Sequence, residues 1–479
     1  MLTAINAVFW CPEPDRVSSN IQRAFAERVS TGKAAATTTG VTATSTLACH
    51  TFPSNKPGQP APRATGMYQD ASVHVVCAAH LTNRKPLEKQ LGLPAGSDPA
   101  VLIAALYARD GIAGLDQLAG AFALVLHDLA TDTVIARRDP FGVCPLFWAW
   151  GAGGQLAFAS LPEVLIDAGV IKAKRNLDGV VDLIASSSAA KPRTLITGLY
   201  RVPANSQMTF SASDAGRVPA AKTCWRPSPA PDAPKDFDGW SRELRRLMDR
   251  AVATRIPTTG DLAASVSSGL DSTSVTMLAE AHLSDDQHIF ASTYAASEEA
   301  EQTYSGLLDE TEVAQQVVAG SNRISWRRHR LKPKIDHKPA ELGVIAWQFD
   351  EGVPEYETAI AAAQSGADVL LTGWGGDNAA SYKGLGTHAA LLKKGNLRQL
   401  RLLADARKLR GRKRLKFYAR AAADTLMPQG TRLRELFSGP KRETMNYNHR
   451  MYTGFKPQYR ANSDLLEFRT SDTQTNRLS

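Results

Sequence analysis

The sequence predicts two domains of different construction, an α+β domain of layered sheets followed by an α/β domain with a parallel sheet, and three observations predict it. Up to about residue 215, short apolar runs alternate with glycine and polar turns, the pattern of strands joined by tight connections. Residues 218–237 (VPAAKTCWRPSPAPDAPKDF) are rich in proline, which fixes φ and removes backbone donors, so they suit a linker rather than an element. Beyond them strand-like runs alternate with helical stretches, the rhythm of parallel strands covered by helices. The expected domains are therefore 1–217 and 238–479, with 218–237 between them.

In the first domain the predicted strands include Val73–Ala78, Ala121–His127, Thr133–Arg137 and Gln155–Ala159. Residues 30–66, rich in Thr, Ala, Ser, Gly and Pro with little periodicity, are expected to form a loop or a flexible insertion. The second domain reads as strand Leu262–Val266, helix Asp271–His282, strand His288–Tyr294 and a helix near Thr311–Ala319. Helices near Pro339–Phe349 and Tyr356–Gln364 then lead to strand Asp368–Thr372. After Lys383 the chain turns helical and strongly basic, from Lys393 and Lys394 to Lys416 and Arg420, with Leu397, Leu400, Leu403, Leu409, Leu415 and Phe417 as an apolar stripe.

A chain of 479 residues has room for two or three proper cores. With 43% hydrophobic and 22% charged residues it is neither disordered nor fibrous in composition. Its formal charge of +9 points to an anionic partner, whether nucleotide, nucleic acid, membrane surface or acidic peptide. Cys11, Cys49, Cys77, Cys144 and Cys224 are scattered and never form a CxxC pair, which suggests neither a zinc site nor a disulfide framework and fits a reducing cytoplasm. No apolar run approaches the roughly 20 residues of a membrane-spanning helix, and no secretory signal opens the chain. A cytoplasmic protein without a membrane span is expected.

The sharpest chemical signal is Ser265-Val266-Ser267-Ser268-Gly269-Leu270-Asp271-Ser272, which follows an apolar strand and opens a helix. A strand that turns into a helix through small residues offers backbone N–H groups and the positive helix end to an anion such as pyrophosphate. The hydroxyls of Ser267, Ser268 and Ser272 add donors, and Asp271 can hold Mg²⁺ on phosphate oxygens. The plainer alternative is a serine-rich turn with Asp271 capping the helix. A second turn, Leu371-Thr372-Gly373-Trp374-Gly375-Gly376-Asp377-Asn378, follows another apolar strand about a hundred residues on. In an open α/β sheet both would lie at the carboxyl ends of strands, where nucleotides bind, and Asp377 becomes a second Mg²⁺ ligand.

Together these loops resemble the SGGLDS and GxGxD loops of asparagine-synthetase-type ATP pyrophosphatases, with Ser268 standing where that family has its first glycine. The resemblance implies ATP contacts from Val266 through Ser272, from Ser292 on the next strand, and from Thr372 and Gly373. It extends to the first domain, where Gly114–Ala123 (GLDQLAGAFA) and Ala136–Phe147 (ARRDPFGVCPLF) are similar to segments of glutaminase-like domains. Those glutaminases use a cysteine exposed by removal of Met1, whereas this chain begins Met1-Leu2, and Cys11 is too far along to substitute.

A missing glutaminase nucleophile argues for an amine other than glutamine nitrogen. Two relatives work that way, the β-lactam synthetases and the macrolactam synthetases that close lasso peptides, and Gly375-Gly376-Asp377 resembles the latter. Asparagine synthetases carry Glu, and β-lactam synthetases Tyr, at the place of Trp374. The resemblance therefore implies a lasso cyclase: with ATP and Mg²⁺, it would adenylate an Asp or Glu side chain of a precursor peptide and close the ring with the peptide's N-terminal amine. Asp271, Asp377, Trp374 and Glu310 are its expected catalytic residues. Glu310 sits in Asp309-Glu310-Thr311-Glu312, which alternatively only favours a helix N-terminus. Asp350–Pro354 is a candidate cleft segment, Lys441 and Lys456 are candidates for the family's late lysine, and the chain after Asp377 is shorter than the lasso resemblance implies. A leader peptidase and a leader-binding protein are the implied partners. Asparagine formation from aspartate with ammonia or glutamine is the main alternative. An inactive scaffold or nucleic-acid-binding protein, using the basic helices, is the reading from another class, with nucleic acid disfavoured because a charge run is more often a solvated face.

Overall fold

A computed structural model describes residues 4–10, 17, 19–24, 36–42, 45–51, 65–184, 192–228, 230–234, 236–295, 310–330, 358, 361–367, 369–381 and 387–426. The helix expected over Pro339–Phe349, the segment Asp350–Pro354, Cys11, Lys441, Lys456 and, within Tyr356–Gln364, the residues Tyr356, Glu357, Ala359 and Ile360 lie outside them.

The first domain contributes β1 (Ala4–Phe9), β2 (Ala36–Val41), β3 (Thr46–Thr51), β4 (Thr65–Gln69), β5 (Val73–Leu81), β6 (Gly120–Asp128), β7 (Thr133–Arg138), β8 (Phe147–Trp150), β9 (Leu156–Ala159), β10 (Leu199–Arg201), β11 (Ser206–Phe210) and β12 (Lys222–Thr223). They form two antiparallel six-stranded sheets, ordered β10-β8-β9-β1-β3-β2 and β12-β11-β7-β6-β5-β4. Ile5, Leu47, Val76, Val125, Phe158 and Phe210 bury the inner faces against each other. Because side chains alternate along a strand, Val73, Val75 and Cys77 of β5 point the other way. There they meet Leu102, Ile103 and Leu106 of the helix Pro99–Asp110. Asp98 starts that helix by accepting from the Ala100 amide at 2.8 Å, with Pro99 in the first position, where its missing N–H costs nothing. On the outer face of the first sheet, Val8, Ala149 and Ala157 pack against Ile21, Ala24, Val164 and Leu165. The domain is thus a sandwich of two sheets with helical residues outside each, as the layered-sheet expectation requires.

Residues 30–66 correct the expectation of a loop, since β2 and β3 fall within them and pair along their lengths. The β-branched threonines of ATTTGV and TLACHT fit a pleated surface, and tertiary pairing replaces the missing apolar periodicity.

The second domain opens with the helix Phe237–Ala253. It then forms β13 (Leu262–Ser265), β14 (Ile289–Ala295), β15 (Ile324–Arg330) and β16 (Val369–Leu371), all parallel, in the order β15-β14-β13-β16. The helices Leu270–Glu280 and Thr311–Val318 bury Ala279, Ala314 and Val318 against Leu262, Ala264, Ile289 and Ile324 on one face. Ala362 and Ala367 cover Ala263 on the other. Strand β15, ISWRRHR, went unanticipated because its charged residues hide the apolar alternation.

By compactness the chain divides into one unit of Met1–Asn176 with Ala189–Gly375 and another of Leu177–Ser188 with Gly376–Ser479. The second unit contains the helices Leu177–Ile184, Thr387–Lys393, Leu397–Ala406 and Gly411–Leu426. Leu400, Ala404, Phe417 and Ala421 form its small core with Leu403 and Leu409 packed against it, whereas Leu397 and Leu415 of the expected stripe are exposed. No helix among the described residues is long and apolar enough to cross a membrane.

Candidate functional site

Strand β13 lies between β14 and β16, so the chain leaves it toward one side and later returns on the other. A parallel sheet opens a crevice at the carboxyl ends of strands where its order reverses in this way. Both sequence-predicted loops emerge there. Leu371, the last residue of β16, pairs with Ala264, one residue before the end of β13. Ser292 of β14 pairs with Ser265, and its carbonyl accepts the Val266 amide at 2.9 Å.

The first loop is shaped by its own hydroxyls. The Ser267 amide donates to Ser272 Oγ at 3.0 Å, the two serine Oγ atoms lie 2.8 Å apart, and the Gly269 amide donates to Ser267 Oγ at 3.0 Å. Thr273 Oγ1 donates to the Ser267 carbonyl at 3.0 Å and Thr276 Oγ1 to the Ser272 carbonyl at 2.9 Å. Sequence reasoning missed Thr273 and Thr276; their signal was two hydroxyls in the opening turns of a helix that already faces a polar loop. Gly269 precedes the helix in extended backbone, φ −76° and ψ 150°, without a side-chain cap. Ser268 is not among the residues with positive φ, so serine fits where the related loops have glycine. Ser268, Gly269 and Leu270 are exposed, and Asp271 stands in the first helical turn.

The second loop touches the first. A Cβ built on Gly373 would fall 2.4 Å from the Ser272 nitrogen, 2.8 Å from its Cα and 3.0 Å from the Asp271 carbonyl carbon. Only glycine allows this backbone-to-backbone approach. Gly375 turns the loop at φ +84°. Thr372 and Trp374 are exposed, Trp374 by 76%, and the Trp374 amide donates weakly to Thr372 Oγ1 at 3.4 Å. Asp377 follows in the short turn Gly376–Asn378, which belongs to the second unit.

Glu310 joins the site through its side chain, with Oε2 accepting the Ser268 amide at 3.1 Å. The structure therefore brings Val266, Ser267, Ser268, Gly269, Asp271, Ser272, Ser292, Glu310 and Gly373 to one edge of the sheet. No group of three or more His, Cys, Asp or Glu placed for a metal occurs among the described residues. Mg²⁺ carried on a triphosphate needs one or two protein carboxylates and takes its remaining oxygens from phosphate and water. Asp271, in the first turn of the helix Leu270–Glu280, is the carboxylate of the first loop.

In the first domain the charged turn Arg138-Asp139-Pro140-Phe141-Gly142 resolves into architecture. The buried Asp139 carboxylate accepts amides from Phe141 at 2.9 Å, from Phe122 and Val143 at 3.2 Å, and from Cys144 at 3.4 Å. Arg138 donates to the carbonyls of Cys144 and Val202, each at 2.7 Å, and of Gly142. Burial raises the thiol pKa of all four described cysteines, Cys144 to about 12, so none is poised as a thiolate nucleophile at neutral pH.

A glutamine amidotransferase domain model matches residues 50–219, and an asparagine synthase model matches residues 243–475. Its second half is therefore similar to the asparagine synthase family and most of its first half to glutamine amidotransferase domains. Its asparagine synthase region contains both strand-end loops and Glu310, and its amidotransferase region contains the Arg138–Asp139 turn. Among curated relatives, a putative glutamine-hydrolyzing asparagine synthetase of Mycobacterium tuberculosis (strain ATCC 25618 / H37Rv) is 27% identical over 280 residues, 58% of this chain and 41% of the relative. A glutamine-hydrolyzing asparagine synthetase of Zea mays is 28% identical over 220 residues, 45% and 32% of the two chains. Asparagine synthetase 2 of Arabidopsis thaliana is 38% identical over 102 residues, 21% and 18%. The chain thus matches less than half the length of each of these relatives.

Proposed function

We propose that the chain is an ATP-dependent carbon–nitrogen ligase of the asparagine-synthetase type, and the observation that carries the reading is the close seating of Gly373 on the Asp271–Ser272 backbone. Two glycine- and serine-lined turns at adjacent strand ends make a cradle for a triphosphate. A carboxylate oxygen of the acid substrate attacks the α-phosphorus of ATP, the bond to pyrophosphate breaks, and an acyl-adenylate forms. An amine then attacks the acyl carbon, loses a proton, and releases AMP as the amide forms. The loop amides and the positive end of the helix Leu270–Glu280 stabilise charge on the leaving phosphates. Mg²⁺ would neutralise phosphate charge when bound, with Asp271 as the carboxylate of the first loop that would hold it. The cradle holds acid and amine in a near-attack geometry.

The acid is aspartate in the reading that the family favours, with ammonia or glutamine as the nitrogen source. A second reading, a lasso-type cyclase acting on a precursor peptide, is supported by Trp374, a large exposed side chain where asparagine synthetases carry Glu. Leader peptidase and leader-binding partners belong to that second reading, as does a cytoplasmic location shared with them.

Isotope exchange between labelled pyrophosphate and ATP tests the proposal. Exchange that depends on an added carboxylic acid supports the ligase, and whether aspartate or an Asp/Glu-bearing peptide drives it selects the substrate. Steeply salt-dependent DNA binding without any exchange would support the scaffold reading instead.

A further inference from the structure

We propose that Glu310 occupies the anion seat of the first loop in the free protein and is displaced by the phosphates of the incoming nucleotide. The inference rests on the nucleotide reading of that loop. Its starting point is where the carboxylate points. Glu310 is the residue that opens the helix Thr311–Val318, yet its side chain makes no capping hydrogen bond to that helix. It reaches instead to another element and accepts the Ser268 amide at 3.1 Å.

Ser268 is the middle of three successive loop amides. Those on either side, Ser267 and Gly269, donate to serine oxygens of the loop itself, at 3.0 Å each. The Ser268 amide is thus the one of the three that turns outward to a partner from a different element. A loop of this build, just ahead of a helix N-terminus, attracts anions, and a carboxylate oxygen is the protein's own version of a phosphate oxygen. Two anions cannot share one amide without strong repulsion at about 4 Å separation. A phosphate arriving at Ser268 must therefore push Glu310 aside, and the loop is held in shape until it does.

Equilibrium binding of pyrophosphate and ATP, each with and without Mg²⁺, to the full chain and to Glu310→Gln tests this. Glutamine keeps an oxygen for the Ser268 amide and removes the charge. Without Mg²⁺ the variant should bind pyrophosphate about tenfold more tightly than the wild type. Equal affinity would reduce Glu310 to a neutral prop and overturn the displacement. Weaker binding, confined to Mg²⁺-containing solutions, would make it a recruiter of the cation and overturn it as well. If neither protein binds pyrophosphate or ATP, the nucleotide reading fails along with it. A second measurement needs no variant. Labelling of wild-type Glu310 by a water-soluble carbodiimide, read by mass spectrometry, should rise when pyrophosphate is added, and unchanged or reduced labelling contradicts the proposal.

Discussion

A methyl group at Gly373 would sit 2.4 Å from a backbone nitrogen and 2.8 Å from a Cα, neither of which can swing away as a side-chain tip could. Gly373→Ala must therefore part the two loops. Overpacking of this kind typically costs about 1–3 kcal/mol, a loss a thermal melt can read. The larger effect falls on function, because phosphate donors displaced by an ångström lose much of their value. Pyrophosphate exchange by Gly373→Ala should drop by about 100-fold while the protein remains folded. Retention of wild-type exchange would show that the two loops need not touch. At this scale the meeting of the two loops was legible in advance, since Ser267, Ser268, Gly269 and Gly373 are small for reasons of close approach. The partnership of Glu310 with Ser268, 42 positions apart in sequence, was not, because it depends on how a helix after β14 returns to the loop after β13.

The sheets of the first domain carry a titration of their own. His50 on β3 is buried, and its Nε2 lies 2.8 Å from Asn6 Nδ2 on β1, an amide nitrogen that only donates. Burial lowers the His50 pKa to about 4 from its ordinary 6.5. The sign follows from that depression. Above about pH 6.5 the ring is neutral in both states and costs nothing, whereas between pH 6.5 and 4 the unfolded chain binds the proton first, so stability falls as pH falls. The full loss from this ring is about 3 kcal/mol. Chemical denaturation at pH 7 and pH 4.5 should show a smaller drop for His50→Gln than for the wild type, and an equal drop would remove His50 as the cause. The same strand shows why some elements escaped notice. Strands β2 and β3 pair through threonine-rich runs whose polar atoms mask their strand character, and in β15 the apolar Ile324 and Trp326 are followed by the charged run Arg327, Arg328, His329 and Arg330. The strands with bare apolar runs, β5, β6 and β13, were read to within a few residues, because hydrophobic burial is visible in composition while pairing is not.

Over the whole molecule, charge is unevenly spread. Residues 387–426 hold twelve Lys or Arg against two Asp, so the chain's +9 is concentrated in the helices of the second unit and the remainder is close to neutral. Attraction of an anionic partner would therefore act through that unit. The change from antiparallel sandwich to parallel sheet was legible because it changes the spacing of apolar runs, whereas the proline-rich 218–237, expected to hold no element, contains β12, whose backbone pairs with β11. Hydrogen exchange of backbone amides, followed by mass spectrometry with and without Mg²⁺-ATP, tests the central claim most directly. The account predicts slowed exchange in peptides covering Ser267–Asp271 and Thr372–Gly375 together. Protection of only one of the two loops, or of neither at saturating nucleotide, would contradict it.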